Sequence, residues 1–351
     1  MSINTAILGA TGYVGGELLR LLGEHPEFQL AAAVSASRGG EAISSVFPHL
    51  APVYQKQQFA KPGAWIDGID NGSDLALFSA APHGASAQLV EQVLDAAAGR
   101  DLKVHVVDSS ADFRYGSSAA FETVYGSAHP APDLLDDFFC GLPEHVAEAK
   151  AKHVGHPGCF ASAIMLAAIP LVRSGYVTGD LFVTGVTGST GSGRSPQAGT
   201  HHPERHSNLY AYKPLAHRHV PEVQAQIASI CGKDVPIRFV PHSGPFARGI
   251  YVTLQANLEP GTTQADVAEF FEQSYDHSHF VHFIAGTPRL KDVVGSNYCQ
   301  IGATVNDGNV AVTCAIDNLI KGAAGGAMQW MNRLWSLPET TGLCSAPVAW
   351  I

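Results

Sequence analysis

The sequence has little charge, and positive charge is the scarcer kind. Of its 351 residues 15% are charged, and 21 Lys and Arg stand against 31 Asp and Glu, which gives a formal net charge of −10 at pH 7. An average soluble protein carries about 25% charged residues. A chain this acidic repels phosphate backbones, so neither nucleic acid nor an anionic membrane is an expected partner. A small anionic ligand is still compatible with this composition, because helix N-termini and a few local cations bind anions.

Long apolar runs and paired cysteines are also missing. No uninterrupted apolar stretch approaches the ~20 residues that span a bilayer. The first cationic side chain is Arg20, too late for the positive region of a secretory signal. We therefore expect a cytoplasmic protein. The six cysteines form no CxxC pair, and their spacing predicts neither a zinc site nor a disulfide framework.

What is present is an alternation of apolar runs and helical patterns. Strand-like runs occupy residues 5–8, 28–34, 75–78 and 104–107, and helical spacing occupies residues 13–22 and 85–98. This alternation predicts a Rossmann-type, doubly wound parallel sheet with helices on both faces. From about residue 158 onward, strand-like runs and isolated helices predict a second, α+β domain. The expected fold class is therefore α/β with two domains.

A glycine-rich segment, Gly9–Gly16, joins the first predicted strand to the first predicted helix. Glycine suits a tight turn that approaches a pyrophosphate, and the helix N-terminus adds N–H groups and a positive dipole end. The GxxGxxG spacing at the start of a βαβ unit predicts dinucleotide binding, with an ordinary turn as the alternative. The candidate cofactor-binding residues of this segment are Gly9, Thr11, Gly12, Tyr13 and Val14.

The end of the second predicted strand bears on the choice of cofactor. An acidic residue there binds the ribose hydroxyls of NAD, whereas this chain has Ser35, Ser37 and Arg38. Hydroxyls and a guanidinium suit a 2′-phosphate, so we expect NADP(H). A solvated Arg38 in an exposed loop is the alternative.

Cys159 is the candidate nucleophile. It follows Pro157 and Gly158 at the entrance of a predicted helix, residues 160–169, which Pro170 is expected to end. The positive end of a helix favours a thiolate, and its N–H groups suit an oxyanion on a bound carbonyl. A buried structural thiol is the alternative.

Five segments of the chain, in matching order, resemble the N-acetyl-gamma-glutamyl-phosphate reductases, relatives of aspartate-semialdehyde dehydrogenase. They are Gly9–Gly16 and residues 111–114, 157–160, 217–222 and 318–325. The resemblance implies NADPH-dependent reduction of an acyl phosphate to an aldehyde, with phosphate release, through a Cys159 thioester in arginine biosynthesis. It also implies that the C-terminal helix returns to the first domain. The expected division is an NADP-binding domain of residues 1–157 and 319–351 and a catalytic and dimerisation domain of residues 158–318.

The same resemblance assigns roles to a histidine pair. His217 and His219 flank Arg218 just before Pro221, where a helix is predicted to begin. By resemblance His217 is the acid/base, expected to titrate near pH 6.5, and Arg218 and His219 contact substrate anions. A structural role for the pair is the alternative, and His219 is the second candidate for the acid/base.

Further candidates lie in loops. Arg114 follows a predicted strand at the carboxyl edge of the sheet, where it could bind a substrate carboxylate or phosphate, or form a salt bridge with Asp112. By resemblance, Gly188, Ser189 and Asn318 lie beside the cofactor. His201, His202 and His206 form the densest histidine cluster, but with no nearby cysteine or paired carboxylates a metal is not expected, and the role of His156 stays open.

Other functions fit parts of this pattern. A reductase of a related acyl phosphate, such as aspartyl phosphate or a lysine-pathway homologue, is the nearest alternative. A short-chain dehydrogenase also uses GxxGxxG, but no Tyr here has Lys four residues later. A Rossmann-type NADP(H)-sensing regulator would bind the cofactor without turnover. The expected partners are a small-molecule acyl phosphate and further copies of the chain, in a dimer or tetramer.

Overall fold

Two β-sheets organise the structure, a computed structural model that describes residues 2–349. The first sheet belongs to a compact unit of residues 2–157 with Ala323–Cys344. The second belongs to a unit of Gly158–Gly322 with residues 345–349. Residues 1, 350 and 351, which the expected domain division includes, lie outside the described residues.

The first unit is built on parallel strands. These are β1 Ile3–Leu8, β2 Phe28–Val34, β3 Asp74–Ser79, β4 Lys103–Asp108, β5 Phe138–Cys140 and β6 His153–Gly155. They form one six-stranded sheet in the order β2-β1-β3-β4-β6-β5. The helices are α1 Tyr13–Leu22, α2 Ile43–Val46, α3 Ser86–Ala98, α4 Ser118–Tyr125 and α9 Gly325–Leu334. Strands β1 and β3 are almost wholly buried, as their continuous apolar runs predict.

The second unit is built on a mixed sheet. Its strands are β7 Val177–Thr187, β8 Tyr210–Ala211, β9 Ile237–Ser243, β10 Ile250–Leu258, β11 Val281–Phe283, β12 Cys299–Asn306 and β13 Asn309–Ile316. They lie in the order β11-β12-β13-β10-β7-β9-β8. The helices are α5 Cys159–Ser174, α6 His202–Arg205, α7 His219–Cys231 and α8 Gln264–Tyr275. Alternate residues of β10 are buried, and α5 packs against β10 and β13. The predicted fold class, a Rossmann-type parallel sheet with a second α+β domain, is confirmed.

Helix α5 does not end at Pro170 as the sequence predicts. It continues to Ser174 with Pro170 in its interior. Proline has no N–H for the carbonyl of Leu166, four residues earlier. The Tyr275 hydroxyl donates to Leu166 O at 2.7 Å instead, and Gly175 at φ 77° ends the helix. A tertiary hydrogen bond thus satisfies the group that proline leaves open.

The C-terminal helical segment is not one regular helix. A π-helical turn at Ile320–Ala324 precedes α9. Asp317 causes the irregular start, because its carboxylate accepts the N–H groups of Leu319 and Ile320 at 2.8 and 3.0 Å.

Within the described chain, none of the helices combines the length and the apolar character that a membrane span requires.

Candidate active site

The glycine loop between β1 and α1 requires glycine at two points. Gly9 has φ +69°, and a Cβ there would lie 2.6 Å from Ala80 O. At Gly15 a Cβ would lie 2.6 Å from the Cα of Ala10, so glycine lets the helix pack closely on the turn. These positions give the turn the shape of a dinucleotide-binding loop.

The N-terminus of α1 is open to an anion. Gly12 is its N-cap residue, and within the described residues no side chain caps the helix and no acidic residue lies in its first turn. Thr11, Tyr13 and Val14 are half-buried at the same turn. The positive helix end and its N–H groups therefore fit the diphosphate of a dinucleotide.

The turn after β2 carries the predicted 2′-phosphate ligands. Ser35 is buried; its Oγ lies 3.4 Å from Thr11 Oγ1 and accepts the N–H of Arg38 at 3.2 Å. Ser37 is exposed. The Arg38 guanidinium pairs with Glu41 at 3.1 Å, and both side chains are largely exposed. Arg38 is thus on the surface but already has a carboxylate partner, three residues along the chain.

Three of the predicted cofactor residues lie in the second unit. Gly188 donates its N–H to Gly249 O at 2.9 Å, and Ser189 donates to Phe246 O at 2.9 Å. Asn318 is buried; its Oδ1 accepts the N–H of Gly249 at 2.7 Å, and its Nδ2 donates to Thr190 Oγ1 at 3.0 Å. The Asn318 amide therefore holds the loop that begins at Gly188.

Cys159 is the first residue of α5, and its side chain is half-buried. Gly158 is the N-cap residue, with extended φ −64° and ψ 153°. A Cβ on Gly322 would lie 2.8 Å from Cys159 Cβ, so the glycine leaves room for the cysteine. The helix end favours the thiolate form of a thiol in this position.

Glu222 secures the turn that presents the thiol. It is 1% exposed, and its Oε1 accepts the N–H of Gly158 at 2.8 Å. Ser162 N and Oγ both donate to Gly158 O, at 2.7 and 3.1 Å. The residue before Cys159 is therefore fixed on both sides of its backbone. The sequence contains Glu222 in a recognised segment but gives no sign of this contact.

His217 lies in an aromatic pocket. Its ring meets those of Phe160, Phe239 and Tyr212 edge to face, at centroid distances of 5.8, 5.5 and 5.7 Å. Burial, with the positive charges of Arg218 and Lys213, lowers the pKa of His217 to about 4. The expected titration near pH 6.5 is therefore wrong for this structure, because the surrounding rings disfavour the charged imidazolium.

The histidine pair is in contact. His219 N donates to His217 Nδ1 at 3.3 Å, and the two rings are 4.7 Å apart. An acceptor at Nδ1 places the proton of the neutral His217 ring on Nε2. Helix α7 begins at His219 rather than at the predicted Pro221, which still lies in the first turn, where its missing N–H costs little. His219 is buried, and Arg218 is exposed.

Tyr212 belongs to the same group of residues, although the sequence does not single it out. Burial raises the pKa of the Tyr212 phenol, and a Cys159 thiolate raises it further, whereas Arg218 lowers it. The phenol, the thiol and the His217 ring therefore share one neighbourhood. An aromatic residue five positions before a histidine is too common a pattern for the sequence to predict this.

Arg114 lies in the first unit and is buried. Its Nε donates to His156 O at 3.0 Å, and its Nη2 donates to Ser109 O at 3.1 Å, so it connects the segments that follow β4 and β6. The Asp112 carboxylate accepts the N–H groups of Gly84 and Ala87 at 2.8 and 3.0 Å.

The remaining histidines are placed as follows. His156 is fully buried and donates from Nδ1 to Pro157 O at 2.8 Å, which shapes the turn before the cysteine. His201, His202 and His206 are exposed. Across residues 2–349, no three or more His, Cys, Asp or Glu side chains are grouped to hold a metal ion.

Comparison with known domain families gives two matches that together span most of the chain. Residues 4–153 match the family described as "Semialdehyde dehydrogenase, NAD binding domain". Residues 159–318 match "Semialdehyde dehydrogenase, dimerisation domain". The first unit is therefore a nicotinamide-cofactor-binding domain of this type.

Curated relatives match over nearly their whole length. A protein of Symbiobacterium thermophilum named N-acetyl-gamma-glutamyl-phosphate reductase is 39% identical, with 99% of each chain covered. Proteins of the same name from Methanopyrus kandleri and Bacillus anthracis are 38% and 37% identical, over 96% and 99% of each chain.

Solved structures share the fold at lower identity. Aspartate semialdehyde dehydrogenase II of Vibrio cholerae, complexed with ASA, has a TM-score of 0.68 at 16% identity and covers 96% of this chain and 99% of its own. Aspartate semialdehyde dehydrogenase with NADP from Candida albicans has a TM-score of 0.67 at 16% identity, with the same coverage.

Proposed function

Because the chain belongs to the N-acetyl-gamma-glutamyl-phosphate reductase family of semialdehyde dehydrogenases, we propose that it converts N-acetyl-gamma-glutamyl phosphate to N-acetylglutamate semialdehyde and phosphate, with NADPH, in arginine biosynthesis. The observation that carries this proposal is Cys159 at the first position of α5, in a turn fixed by Glu222. A thiol in that position suits attack on an acyl phosphate.

The proposed first step takes place at Cys159. Its thiolate attacks the acyl carbon, the new C–S bond forms, and the C–O bond to phosphate breaks with phosphate as the leaving group. The N–H groups in the first turn of α5 stabilise the negative charge on the carbonyl oxygen. Gly158 is unavailable for this task, since its N–H is held by Glu222 at 2.8 Å.

His217 acts on the carbonyl oxygen in this scheme. The ring is neutral at pH 7, and because His219 N donates to Nδ1, Nε2 carries the hydrogen. Nε2–H donates to the oxygen as it becomes negative, as a neutral imidazole can do in a buried site. Hydride addition to the thioester leaves a thiohemiacetal oxyanion on Cys159. Its collapse re-forms the C=O bond, breaks the C–S bond, frees the aldehyde and returns the Cys159 thiolate. His219, Arg218 and Arg114 are the proposed contacts to substrate anions.

The cofactor, when bound, supplies the hydride that reduces the thioester. We propose that Gly9, Thr11, Gly12, Tyr13 and Val14 hold its diphosphate. Ser35, Ser37 and Arg38 receive the 2′-phosphate, since two hydroxyls and an exposed guanidinium stand where an NAD enzyme has an acidic residue. Gly188, Ser189 and Asn318 are proposed to line the nicotinamide end.

Two domains divide the work in this proposal. Residues 1–157 and 319–351 bind the cofactor, and residues 158–318 bind substrate and associate with a second copy. Support for a homodimer comes from the match of residues 159–318 to a dimerisation domain.

The test is NADP⁺ reduction by the purified protein with N-acetylglutamate semialdehyde and inorganic phosphate. The rate is expected to require phosphate and to fall at least about tenfold in kcat/KM with aspartate semialdehyde, which lacks the N-acetyl group and one methylene. Equal kcat/KM for the two aldehydes, or a rate independent of phosphate, contradicts the proposal. NADP(H) binding without turnover indicates a sensing protein instead.

A further inference from the structure

Arg205 is a buried cation at the carboxyl ends of two strands. It is the last residue of α6 and is 7% exposed. Its Nη1 donates to Ser243 Oγ, and its Nη2 donates to Thr187 O at 3.4 Å. Thr187 of β7 and Ser243 of β9 are direct partners in the parallel ladder. The guanidinium therefore lies where β7 turns into the Gly188 loop.

Within the described residues, no carboxylate lies close enough to the Arg205 guanidinium to neutralise its charge. Across residues 2–349, no carboxylate forms an ion pair with it, and its Nε is buried without a hydrogen-bond acceptor. Burying an uncompensated charge is costly, so buried arginines are normally paired. Arg248, in the same unit, shows the normal arrangement, with Asp317 at 3.1 Å.

The unused N–H groups of Arg205 are donors of the kind that bind oxyanions. A guanidinium carries five N–H groups in a planar fork. Two of them meet the neutral acceptors Ser243 Oγ and Thr187 O, which leaves three, including the Nε–H. A carboxylate or phosphate accepts two such N–H groups side by side and neutralises the charge.

Arg205 also belongs to the neighbourhood of the nucleophile. The Phe160 ring, next to Cys159, packs on Phe239 of β9 at a centroid distance of 5.0 Å and against Gly185 of β7. These are the strands whose ends hold Arg205. A charge on Cys159 raises the pKa of the Tyr212 phenol, and the charge of Arg205 lowers it. The thiol and the guanidinium therefore both lie near this phenol.

We propose that Arg205 is a substrate-binding residue whose unused N–H groups receive an oxyanion of the substrate. The inference rests on the proposed function, in which the substrate carries both a carboxylate and an acyl phosphate. Both groups accept hydrogen bonds in the same way. The experiment must therefore decide which of the two Arg205 binds.

The experiment compares Arg205→Gln with the wild type in the NADP⁺-reducing direction, where phosphate and semialdehyde are separate substrates. The KM for one of the two is expected to rise roughly 10- to 100-fold, the effect of losing a charge-assisted hydrogen bond. A rise in the phosphate KM assigns Arg205 to the acyl phosphate, and a rise in the semialdehyde KM assigns it to the carboxylate. The KM for NADP⁺ is expected to stay constant, which a general structural defect would not allow.

Arg238→Gln is the matched control. Arg238 lies on β9, the strand whose Ser243 bonds to Arg205, but it is exposed and paired with Asp180 at 2.7 Å, so its loss should leave both KM values unchanged. Arg205→Lys keeps the charge without the fork and should give an intermediate KM. If Arg205→Gln leaves both KM values within about twofold of the wild type, the proposal is wrong.

A binding measurement separates this proposal from the function on which it rests. If the wild type fails to turn over the semialdehyde, the proposed function is wrong, and thermal unfolding still tests Arg205. Inorganic phosphate or N-acetylglutamate is expected to raise the Tm of the wild type and not that of Arg205→Gln. An equal rise in both proteins, or none in the wild type, overturns the assignment.

Discussion

Two helices of this protein begin with nearly the same backbone and have different surroundings. Helix α1 follows the N-cap residue Gly12 at φ −74° and ψ 173°, and α5 follows Gly158 at φ −64° and ψ 153°. A glycine in this position places no side chain over the helix end, so the first N–H groups point outward. The local backbone alone therefore does not show which helix end binds a diphosphate and which one carries a nucleophile.

The difference comes from what distant residues bring to each helix end. At α1, Gly12 N donates to Gly9 O at 3.2 Å, within the loop itself. At α5, Gly158 N donates to the carboxylate of Glu222, 64 positions along the chain, and Cys159 is the first helical residue. The N-terminus of α1 is therefore open to the anion of a ligand. The N-terminus of α5 instead bonds to the carboxylate of Glu222 and carries the Cys159 thiol.

Removing the Cys159 thiol should abolish catalysis at α5 and leave cofactor binding at α1 unchanged. Cys159→Ala is expected to lower kcat by at least about 10⁴-fold, because no other nucleophile takes its place. NADPH fluorescence titration should give a Kd within about twofold of the wild type, since the α1 site is untouched. Cys140→Ala, a thiol on β5 of the first unit, is the matched control and should keep normal kcat. Loss in the control with activity retained in Cys159→Ala reverses the assignment.

The second prediction concerns His217, the proposed hydrogen-bond donor to the carbonyl oxygen. His217→Ala should lower kcat roughly 10²- to 10⁴-fold, and His217→Gln should recover part of the loss, since an amide donor can replace Nε2–H. With a pKa of about 4, His217 is neutral above that pH. Protonation puts a hydrogen on Nδ1 and removes the acceptor of the His219 N–H, so activity of the wild type should fall as the pH drops through about 4, with no His217 limb near 6.5. A limb near 6.5 that disappears in His217→Gln contradicts this.

The α1 side of the comparison was the more predictable from sequence. Helix α1 has the predicted bounds, residues 13–22, because its glycines and the Gly23 and Pro26 that follow act locally. The positive φ of Gly9 also belongs to the local turn, although the close approach of Ala80 does not. Only the Arg38–Glu41 ion pair was missed, although its three-residue spacing is visible in the sequence.

The α5 side depends on contacts between distant segments, which no local pattern reveals. Pro170 was expected to end the helix, but the Tyr275 hydroxyl satisfies Leu166 O. The pKa of His217 is lowered by burial against rings from other elements, including Phe160 and Phe239. The cysteine motif predicts where a thiol begins a helix, but the carboxylate that caps the preceding residue appears only in the folded chain.

The third prediction tests the cofactor side alone. Arg38→Ala should lower the kcat/KM ratio of NADPH to NADH roughly 10- to 100-fold, the effect of losing one charge-assisted contact to the 2′-phosphate. Glu41→Gln is the matched control, because it removes the competing partner 3.1 Å away and should leave the preference for NADPH equal or stronger. Steady-state kinetics with both cofactors provide the measurement. An unchanged ratio in Arg38→Ala places the 2′-phosphate elsewhere, and Cys159 reactivity should not change in either variant.

The smallest effect is expected for Glu222→Gln, which removes the carboxylate from the N-terminus of α5 and so makes that helix end more like the N-terminus of α1. Glu222→Gln keeps an oxygen that can accept the N–H of Gly158 but removes the negative charge 2.8 Å from it. A carboxylate at a helix N-terminus offsets the positive dipole end by about 0.3–1 kcal/mol. Its removal should therefore raise the thiolate fraction of Cys159 and speed alkylation by iodoacetamide at pH 7 roughly two- to fivefold. Glu222→Ala also leaves a buried N–H without a partner, so urea unfolding should show a loss of about 1–3 kcal/mol that Glu222→Gln largely avoids. Slower alkylation in Glu222→Gln contradicts this account, because the charge of Glu222 would then support the thiolate rather than oppose it.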